Sequence, residues 1–230
     1  MEPPTSNNRP ISREPGEAVV AVLAGGMATR LGGAKASLML AGRPLIEYPL
    51  QAAAEAGLAS IVVAKAASPL PPITSEIVIE PDRPSHPLIG IVTALRHAGG
   101  RAVVVLACDL PLIGPDLLRR LATGPERLVV PSIDGRLQPL AARYDPELLP
   151  TLEADLEDSR RDSISMQELV RRLDPRIVGE QEIARFGNPE RMFTNVNEPD
   201  DLELAADLLG PAAERRGRRG PQTAGAGEAP

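Results

Sequence analysis

The sequence has a single cysteine, Cys108, so no disulfide can form within the chain. A lone thiol is typical of proteins in a reducing compartment. Apolar runs are short, since none approaches the roughly 20 residues that span a bilayer, and residues 1–17 lack the apolar segment of a secretory signal. We therefore expect a cytoplasmic protein that does not enter the membrane.

Positive charge is also scarce. The 25 Lys and Arg residues are outnumbered by 31 Asp and Glu residues, which leaves a formal net charge of −6. General nucleic-acid and membrane-surface binders usually need a basic face to meet phosphates. We expect neither kind of partner, and any phosphate ligand must be bound by a few well-placed cations.

The two ends of the chain differ in composition from its middle. Residues 1–17 are polar and Pro-rich, and residues 210–230 have almost nothing apolar to bury. Both are expected to be disordered, and the basic cluster RRGRR in the tail is explained as a solvated segment. Residues 18–209 remain as one domain, with enough chain for a substantial core.

Within that domain, apolar runs alternate with helical patterns. The runs "AVVAVLA", "ASIVVA" and "RAVVVLA" are separated by "RPLIEYPLQAAAEAG" and "PLIGIVTALRHAGG". Strands that are apolar throughout are buried on both faces. The pattern predicts a doubly wound, mostly parallel α/β sheet with helices on both sides.

The second half breaks this alternation. Two β-rich runs flank Asp134 and Gly135, which is a strong hairpin signal, so a β-hairpin insertion is expected there. Helices are predicted near 147–158, near 165–173 and from about 198, and Asn197 could cap the last of them.

The first strand runs into a Gly-rich loop, "GGMATRLGGAK". Ligands of open α/β folds bind at the carboxyl ends of the strands, and glycines let backbone N–H groups approach phosphates closely. Arg30 and Lys35 supply the charge. The spacing fits neither a Walker loop nor a dinucleotide fingerprint, and a mobile surface turn with two incidental cations is the alternative.

A candidate metal ligand follows the strand "RAVVVLA". Asp109 comes directly after it, and a carboxylate that faces phosphates is tolerable mainly with a divalent cation between them. Asp109 is therefore a candidate Mg²⁺ ligand, and a helix cap or Asx-turn is the alternative. Cys108 is interpreted as a small buried apolar residue.

Five motifs carry a resemblance to a known family: "LAGGMATRLGGAK", "HPLIGIVTAL", "CDLPLI", "DGRLQPLAARY" and "FTNVNEPDDL". Their order and spacing resemble the MobA-like nucleotidyltransferases, the molybdenum cofactor guanylyltransferases and their close relatives. The resemblance covers about residues 18–209. It implies a Rossmann-like nucleotidyltransferase fold and a Mg²⁺-dependent transfer of GMP from GTP to molybdopterin with release of pyrophosphate, with Mn²⁺ as a possible substitute metal.

The resemblance also implies roles for individual residues. Backbone groups of four residues would hold the base and ribose, namely Leu23, Ala24, Gly25 and Gly26. Arg30 and Lys35 would bind the triphosphate, and Asp109 the metal. Asp82 resembles the family's nucleotide-contacting acid, although the alignment could shift to Glu80. Asn195 and Asn197 resemble the paired asparagines beside the metal and the acceptor.

Several readings of function stay open. GTP is expected over CTP and ATP, because "LAGG" together with "PLIGI" resembles the guanylyl branch. The alternatives are a cytidylyltransferase for molybdopterin, a guanylyltransferase for a small phosphorylated acid, and a catalytically inactive nucleotide-binding adaptor. Besides GTP and molybdopterin, proteins that mature molybdoenzymes are candidate partners.

Overall fold

The computed structural model describes residues 18–25, 27–28, 33–83, 85–158 and 165–210. Gly26 and Arg30 of the predicted site lie outside these ranges, as do the segment 1–17 and the tail beyond Gly210. None of the helices in the described ranges is both long and apolar enough to cross a bilayer.

The described residues form twelve strands and eight α-helices. The strands are β1 (Val19–Leu23), β2 (Met27–Ala28), β3 (Gly33–Ala34), β4 (Met39–Leu40), β5 (Arg43–Pro44), β6 (Ser60–Lys65), β7 (Glu76–Glu80), β8 (Val103–Ala107), β9 (Leu128–Ile133), β10 (Arg136–Leu137), β11 (Ala141–Tyr144) and β12 (Arg176–Val178). The helices are α1 (Glu47–Glu55), α2 (Pro87–Ala98), α3 (Pro115–Ala122), α4 (Leu149–Asp158), α5 (Met166–Arg172), α6 (Glu180–Ile183), α7 (Pro189–Met192) and α8 (Pro199–Leu209).

Eight of the described strands form one central sheet in the order β10-β9-β11-β8-β1-β6-β7, with β12 pairing with β9. Strand β1 is parallel to β6 and β8, and β7 is parallel to β6. Strand β11 lies antiparallel between β8 and β9. Two short ribbons, β2-β3 and β4-β5, stand apart from this sheet.

The apolar strands are buried on both faces, as their composition predicts. In β1, Val20 and Val22 face one apolar cluster, which also contains residues of α1 and α3. Val19 and Ala21 face the other cluster, which contains residues of α2, α4 and α5. Helices on both faces of a mostly parallel sheet confirm the predicted doubly wound α/β fold.

The second half departs from the prediction in two details. Asp134 and Gly135 form the hairpin turn between β9 and β10 with φ values of 48° and 69°. The second predicted run of the hairpin is divided, however, because its later part forms β11, which lies between β8 and β9 in the main sheet. Asn197 is not the cap of α8: the N-cap is Glu198. The carboxylate of Asp201 accepts from the backbone N–H groups of Asn197 and Glu198, at 2.8 and 2.9 Å, which leaves the Asn197 side chain available for another contact.

Candidate active site

The predicted site residues that the structure describes gather at the carboxyl ends of β1 and β8. Strand β1 ends at Leu23 and β8 at Ala107, and the backbone N–H of Cys108 donates to the Leu23 carbonyl at 3.2 Å. This bond ties the two strand ends together, so the loop after β1 and Asp109 open onto the same crevice.

Lys35 is the centre of a three-residue polar cluster. Its Nζ lies 2.5 Å from Oδ2 of Asp109 and 2.6 Å from Oδ1 of Asn197. The side chains of Lys35 and Asp109 are each only 15% exposed, so their attraction is screened less than that of a surface pair. The cluster joins segments that are 74 and 162 residues apart in sequence.

The stretch that carries Asn195 and Asn197 is fixed to the same strand end. The backbone N–H of Val196 donates to the Asp109 carbonyl at 3.0 Å, and the Val196 side chain is completely buried. Because side chains alternate along an extended segment, the two asparagines project to the opposite side and are exposed. Both asparagines line the same cavity as Asp109, although the Asn195 amide itself donates to the Phe193 carbonyl at 3.4 Å.

Asp109 has the features of a metal ligand. Its Oδ1 is buried and has no hydrogen-bond partner among the described residues, which is costly for a carboxylate oxygen unless a ligand completes it. Asp109 does not cap α3, whose N-cap is Gly114. No group of three or more His, Cys, Asp or Glu residues in the described ranges could hold an ion. This donor set fits Mg²⁺, which usually takes one or two carboxylates and completes its shell with substrate phosphates and water.

Cys108 is a buried residue, as its neighbours predict. Its side chain is 3% exposed, and burial, together with the nearby Asp109 charge, raises the pKa of its thiol to about 12. The thiol therefore stays protonated at neutral pH and does not act as a nucleophile.

A cavity of about 200 Å³ opens beside this cluster. Its lining includes Leu23, Gly25, Lys35, Glu80 and Asp109. His86 lines it too, and its Nδ1 accepts from the backbone N–H of Leu88 at the start of α2, at 3.2 Å. We call this space the smaller cavity.

Glu80 projects into the smaller cavity between two glycines. Its Oε1 would contact a Cβ built at Gly25, and its Oε2 lies 3.0 Å from the position that a Cβ would take at Gly90. Burial raises the pKa of the Glu80 carboxyl, although the nearby Lys65 charge opposes that shift. Asp82 is exposed and is not among the described residues that line the cavity, so Glu80 is the acid that the structure brings to it.

The backbone around Leu23 and Ala24 is already partly engaged. The Ala24 N–H donates to the Val63 carbonyl at 2.8 Å, and the Leu23 carbonyl accepts from Cys108. These bonds hold the end of β1 in the sheet. The next residue, Gly25, lines the smaller cavity, and the space that its Cβ would take is occupied by the Glu80 carboxylate.

A larger cavity of about 520 Å³ lies on the other side of Asp109. It shares Ala107, Asp109 and Leu140 with the smaller cavity. Its polar lining includes Arg136, Gln138, Gln167, Asn195 and Asn197. Arg136 and Gln138 lie in the motif "DGRLQPLAARY", but that motif did not identify either of them as a site residue, and Gln167 lies outside all five motifs.

Adjoining cavities that meet at a Lys–Asp pair, on a doubly wound sheet, define a nucleotidyltransferase-like protein, and the comparisons agree. The MobA-like NTP transferase domain matches residues 20–175, and the chain belongs to this family. Its membership of the nucleotidyltransferases, predicted from the motifs, is confirmed.

Relatives and solved structures extend this match over most of the chain. The chain is 30% identical over 195 residues to a probable molybdenum cofactor guanylyltransferase of Bacillus licheniformis, covering 79% of this chain and 93% of the relative. It is 35% identical over 194 residues to one of Opitutus terrae, covering 80% and 92%.

Two solved structures share the fold. Molybdopterin-guanine dinucleotide biosynthesis protein A from Archaeoglobus fulgidus has a TM-score of 0.67 at 24% identity, covering 83% of this chain and 98% of that one. 2-C-methyl-D-erythritol 4-phosphate cytidylyltransferase from Thermus thermophilus has a TM-score of 0.60 at 21% identity, covering 84% and 98%.

Proposed function

We propose that this protein transfers GMP from GTP to molybdopterin, releases pyrophosphate and forms the guanine dinucleotide of the cofactor. The observation that carries the proposal is the Lys35–Asp109–Asn197 cluster at the junction of the two cavities. The names of the bacterial relatives support this pair of substrates. In this assignment the smaller cavity takes the nucleotide and the larger cavity takes the acceptor.

Guanine recognition is assigned to Glu80 together with the backbone at Gly25. The Watson–Crick edge of guanine presents two adjacent donors, N1–H and the N2 amino group, and an ionised carboxylate can accept from both. Adenine and cytosine place an unprotonated ring nitrogen next to their amino group, which would face the carboxylate unfavourably. Glu80 thereby takes the role that the sequence resemblance gave to Asp82 or Glu80.

The transfer step needs positioning and charge neutralisation more than covalent help from the protein. An oxygen of the acceptor phosphate attacks the α-phosphorus of GTP, so a new O–P bond forms while the bond from the α-phosphorus to the bridging oxygen breaks. The electron pair of that bond leaves with pyrophosphate. The acceptor phosphate is already largely ionised at neutral pH, so this chain need not supply a general base.

Lys35 and Asp109 exchange partners in this scheme. The Lys35 ammonium donates to Asp109 and Asn197. With GTP bound, Lys35 and Arg30 neutralise the triphosphate and the charge that grows on the leaving pyrophosphate. Asp109 would then hold Mg²⁺, or Mn²⁺ in its place. When bound, this metal acts as a Lewis acid on the phosphate oxygens.

The contacts of Lys35 and Asp109 also bear on the alternative functions. A catalytically inactive adaptor would not require a Lys–Asp pair beside a carboxylate oxygen that lacks a partner among the described residues. A cytidylyltransferase for molybdopterin and a guanylyltransferase for a small phosphorylated acid keep the same mechanism and differ only in the two substrates. Contacts with proteins that mature molybdoenzymes stay a prediction.

The proposal is tested by incubating the purified protein with GTP, Mg²⁺ and molybdopterin and measuring pyrophosphate. We expect pyrophosphate and guanine dinucleotide in equal amounts, with none when the acceptor is omitted or when Mg²⁺ is chelated. Pyrophosphate release with CTP and molybdopterin, but not with GTP and molybdopterin, would favour the cytidylyltransferase. No release with any nucleoside triphosphate would favour the adaptor.

A further inference from the structure

We propose that Arg136 binds the phosphate of the acceptor and makes the larger cavity selective for phosphorylated pterins. This inference rests on the proposed function, because it deepens the assignment of the larger cavity to the acceptor. Arg136 belongs to β10, the second strand of the hairpin that closes one side of that cavity.

The larger cavity needs a positively charged side chain if it is to bind a phosphorylated acceptor. Among the described residues that line it, Asp109 and Asp134 are acidic and Arg136 is the one basic residue. A phosphomonoester is close to a dianion at neutral pH. The exposed Asp134 carboxylate would repel it, whereas the charge of Asp109 is already paired with Lys35. Lys35 lines the smaller cavity, where the triphosphate competes for its charge. Arg136 is the cation that remains for the acceptor.

The Arg136 side chain also has no partner among the described residues. Its guanidinium forms no ion pair or hydrogen bond with a described residue, and its side chain is exposed. Other arginines of the second half are paired there: Arg120 and Arg176 with Glu182, and Arg143 with Asp145. A planar guanidinium can form two parallel bonds to phosphate oxygens, so Arg136 offers a ready contact.

The backbone that carries Arg136 is fixed from both sides. The turn before it places Asp134 and Gly135 in the left-handed region, as a tight hairpin requires, and the Asp134 N–H donates to Glu180 Oε1 at 2.8 Å. After it, the carbonyl of Leu137 accepts from Gln167 Nε2 at 2.6 Å. Arg136 thus stands on a rigid base, which lowers the entropy lost when it binds a phosphate.

The direct test is a binding measurement that needs neither GTP nor turnover. The probes are 6-hydroxymethylpterin phosphate and unphosphorylated 6-hydroxymethylpterin, titrated by pterin fluorescence. Because a charged hydrogen bond contributes about 1.5–3 kcal/mol, the wild type should bind the phosphate ester at least about tenfold tighter than the alcohol. R136Q should lose this difference and R136K should keep part of it.

The matched control is R127Q. Arg127 is an exposed arginine just before β9, it lines neither cavity, and it pairs with Glu147 at 3.4 Å. R127Q should discriminate between the two pterins as the wild type does. A wild type without preference for the phosphate ester, or an R136Q protein that retains the full preference, would overturn the proposal.

Kinetics separate this inference from the proposed function. If the wild type releases pyrophosphate, R136Q should raise the KM for molybdopterin about tenfold, the loss of one charged contact, and leave the KM for GTP unchanged. Equal rises in both KM values would contradict a role for Arg136 at the acceptor. If the wild type releases no pyrophosphate, the proposed function fails, and the fluorescence titrations still decide the role of Arg136.

Discussion

Asp109 is the residue on which both cavities depend, because one carboxylate oxygen contacts Lys35 and the other is buried without a partner among the described residues. Substitution by asparagine keeps the size of the side chain and one acceptor oxygen. It removes the charge that attracts Lys35 and that a hard divalent cation prefers. Removal of this charge should therefore lower the turnover while the fold stays intact.

We expect Asp109→Asn to fold normally and to lose roughly 100-fold or more of its turnover, as when one charge-stabilising group is removed from an active site. Circular dichroism checks the fold, and pyrophosphate release in a Mg²⁺ titration checks the activity. A turnover near that of the wild type would remove Asp109 from the site.

Glu80 should show a compromise between binding and stability. Burial raises the pKa of its carboxyl in the folded protein. The stability that the protonated group contributes at acid pH is therefore lost as the pH rises through that raised pKa. The ionised form of the side chain disfavours the folded state, and the same ionised form is the one proposed to accept hydrogen bonds from guanine.

Glu80→Gln should therefore raise Tm near pH 7.5, and the difference from the wild type should shrink toward pH 4. It should also raise the KM for GTP, because an amide cannot accept two hydrogen bonds from guanine in place of a carboxylate. Thermal unfolding across this pH range and steady-state kinetics measure the two effects. A Tm difference that grows toward acid pH would contradict this account of Glu80.

Elements meet most closely where α2 begins beside the ends of β1 and β7. A Cβ at Gly90 would lie 3.0 Å from Oε2 of Glu80 and 3.1 Å from the nearest methyl carbon of Leu23. Both neighbours would have to shift by a few tenths of an ångström. The absence of a side chain at Gly90 thus sets the position of Glu80 in the smaller cavity.

Gly90→Ala should raise the KM for GTP and should not give the stabilisation, about 1 kcal/mol, that alanine normally gives over glycine inside a helix. Thr93→Ala, in the same helix and half-buried, is the control and should leave the KM for GTP unchanged. A Gly90→Ala protein with higher stability and wild-type kinetics would show that the close packing does not position Glu80.

Sequence patterns predict the long elements well and the short ones poorly. Strands such as β1 and β8 are apolar throughout because both faces are buried, and that pattern is visible in the sequence. Strand β12 has three residues with Ile177 exposed, and α6 and α7 have four residues each. Elements this short contain too little periodicity to be recognised.

The features that the sequence patterns did not predict depend on contacts between segments that are far apart in the chain. The Asn197 side chain was weighed as a helix cap, but it contacts Lys35, which lies 162 residues away in sequence. Whether strand β11 pairs only within its hairpin or joins the main sheet also depends on nonlocal packing. The end of β8 was predictable as a ligand site, whereas the neighbours of Arg136 were not.

At the scale of the whole molecule, the sheet places two adjoining cavities at one strand end, and the proposed function assigns one to the nucleotide and the other to its acceptor. The two cavities share Ala107, Asp109 and Leu140, so atoms bound in each can approach at Asp109. Under the proposed function, this arrangement lets a chain with an overall negative charge bind two phosphorylated substrates. Among the described residues, Lys35 and Lys65 line the smaller cavity and Arg136 lines the larger one, and Arg30 is proposed to join them.

The central claim is that the smaller cavity is built for guanine, and kcat/KM for GTP, CTP and ATP with molybdopterin as the common acceptor tests it most directly. A base other than guanine would leave two buried hydrogen-bonding groups without a partner. At about 1–3 kcal/mol for each group, this cost predicts a preference for GTP of roughly a hundredfold or more. Equal kcat/KM values for GTP and CTP would contradict the guanylyl assignment, even though the nucleotidyl-transfer mechanism would remain.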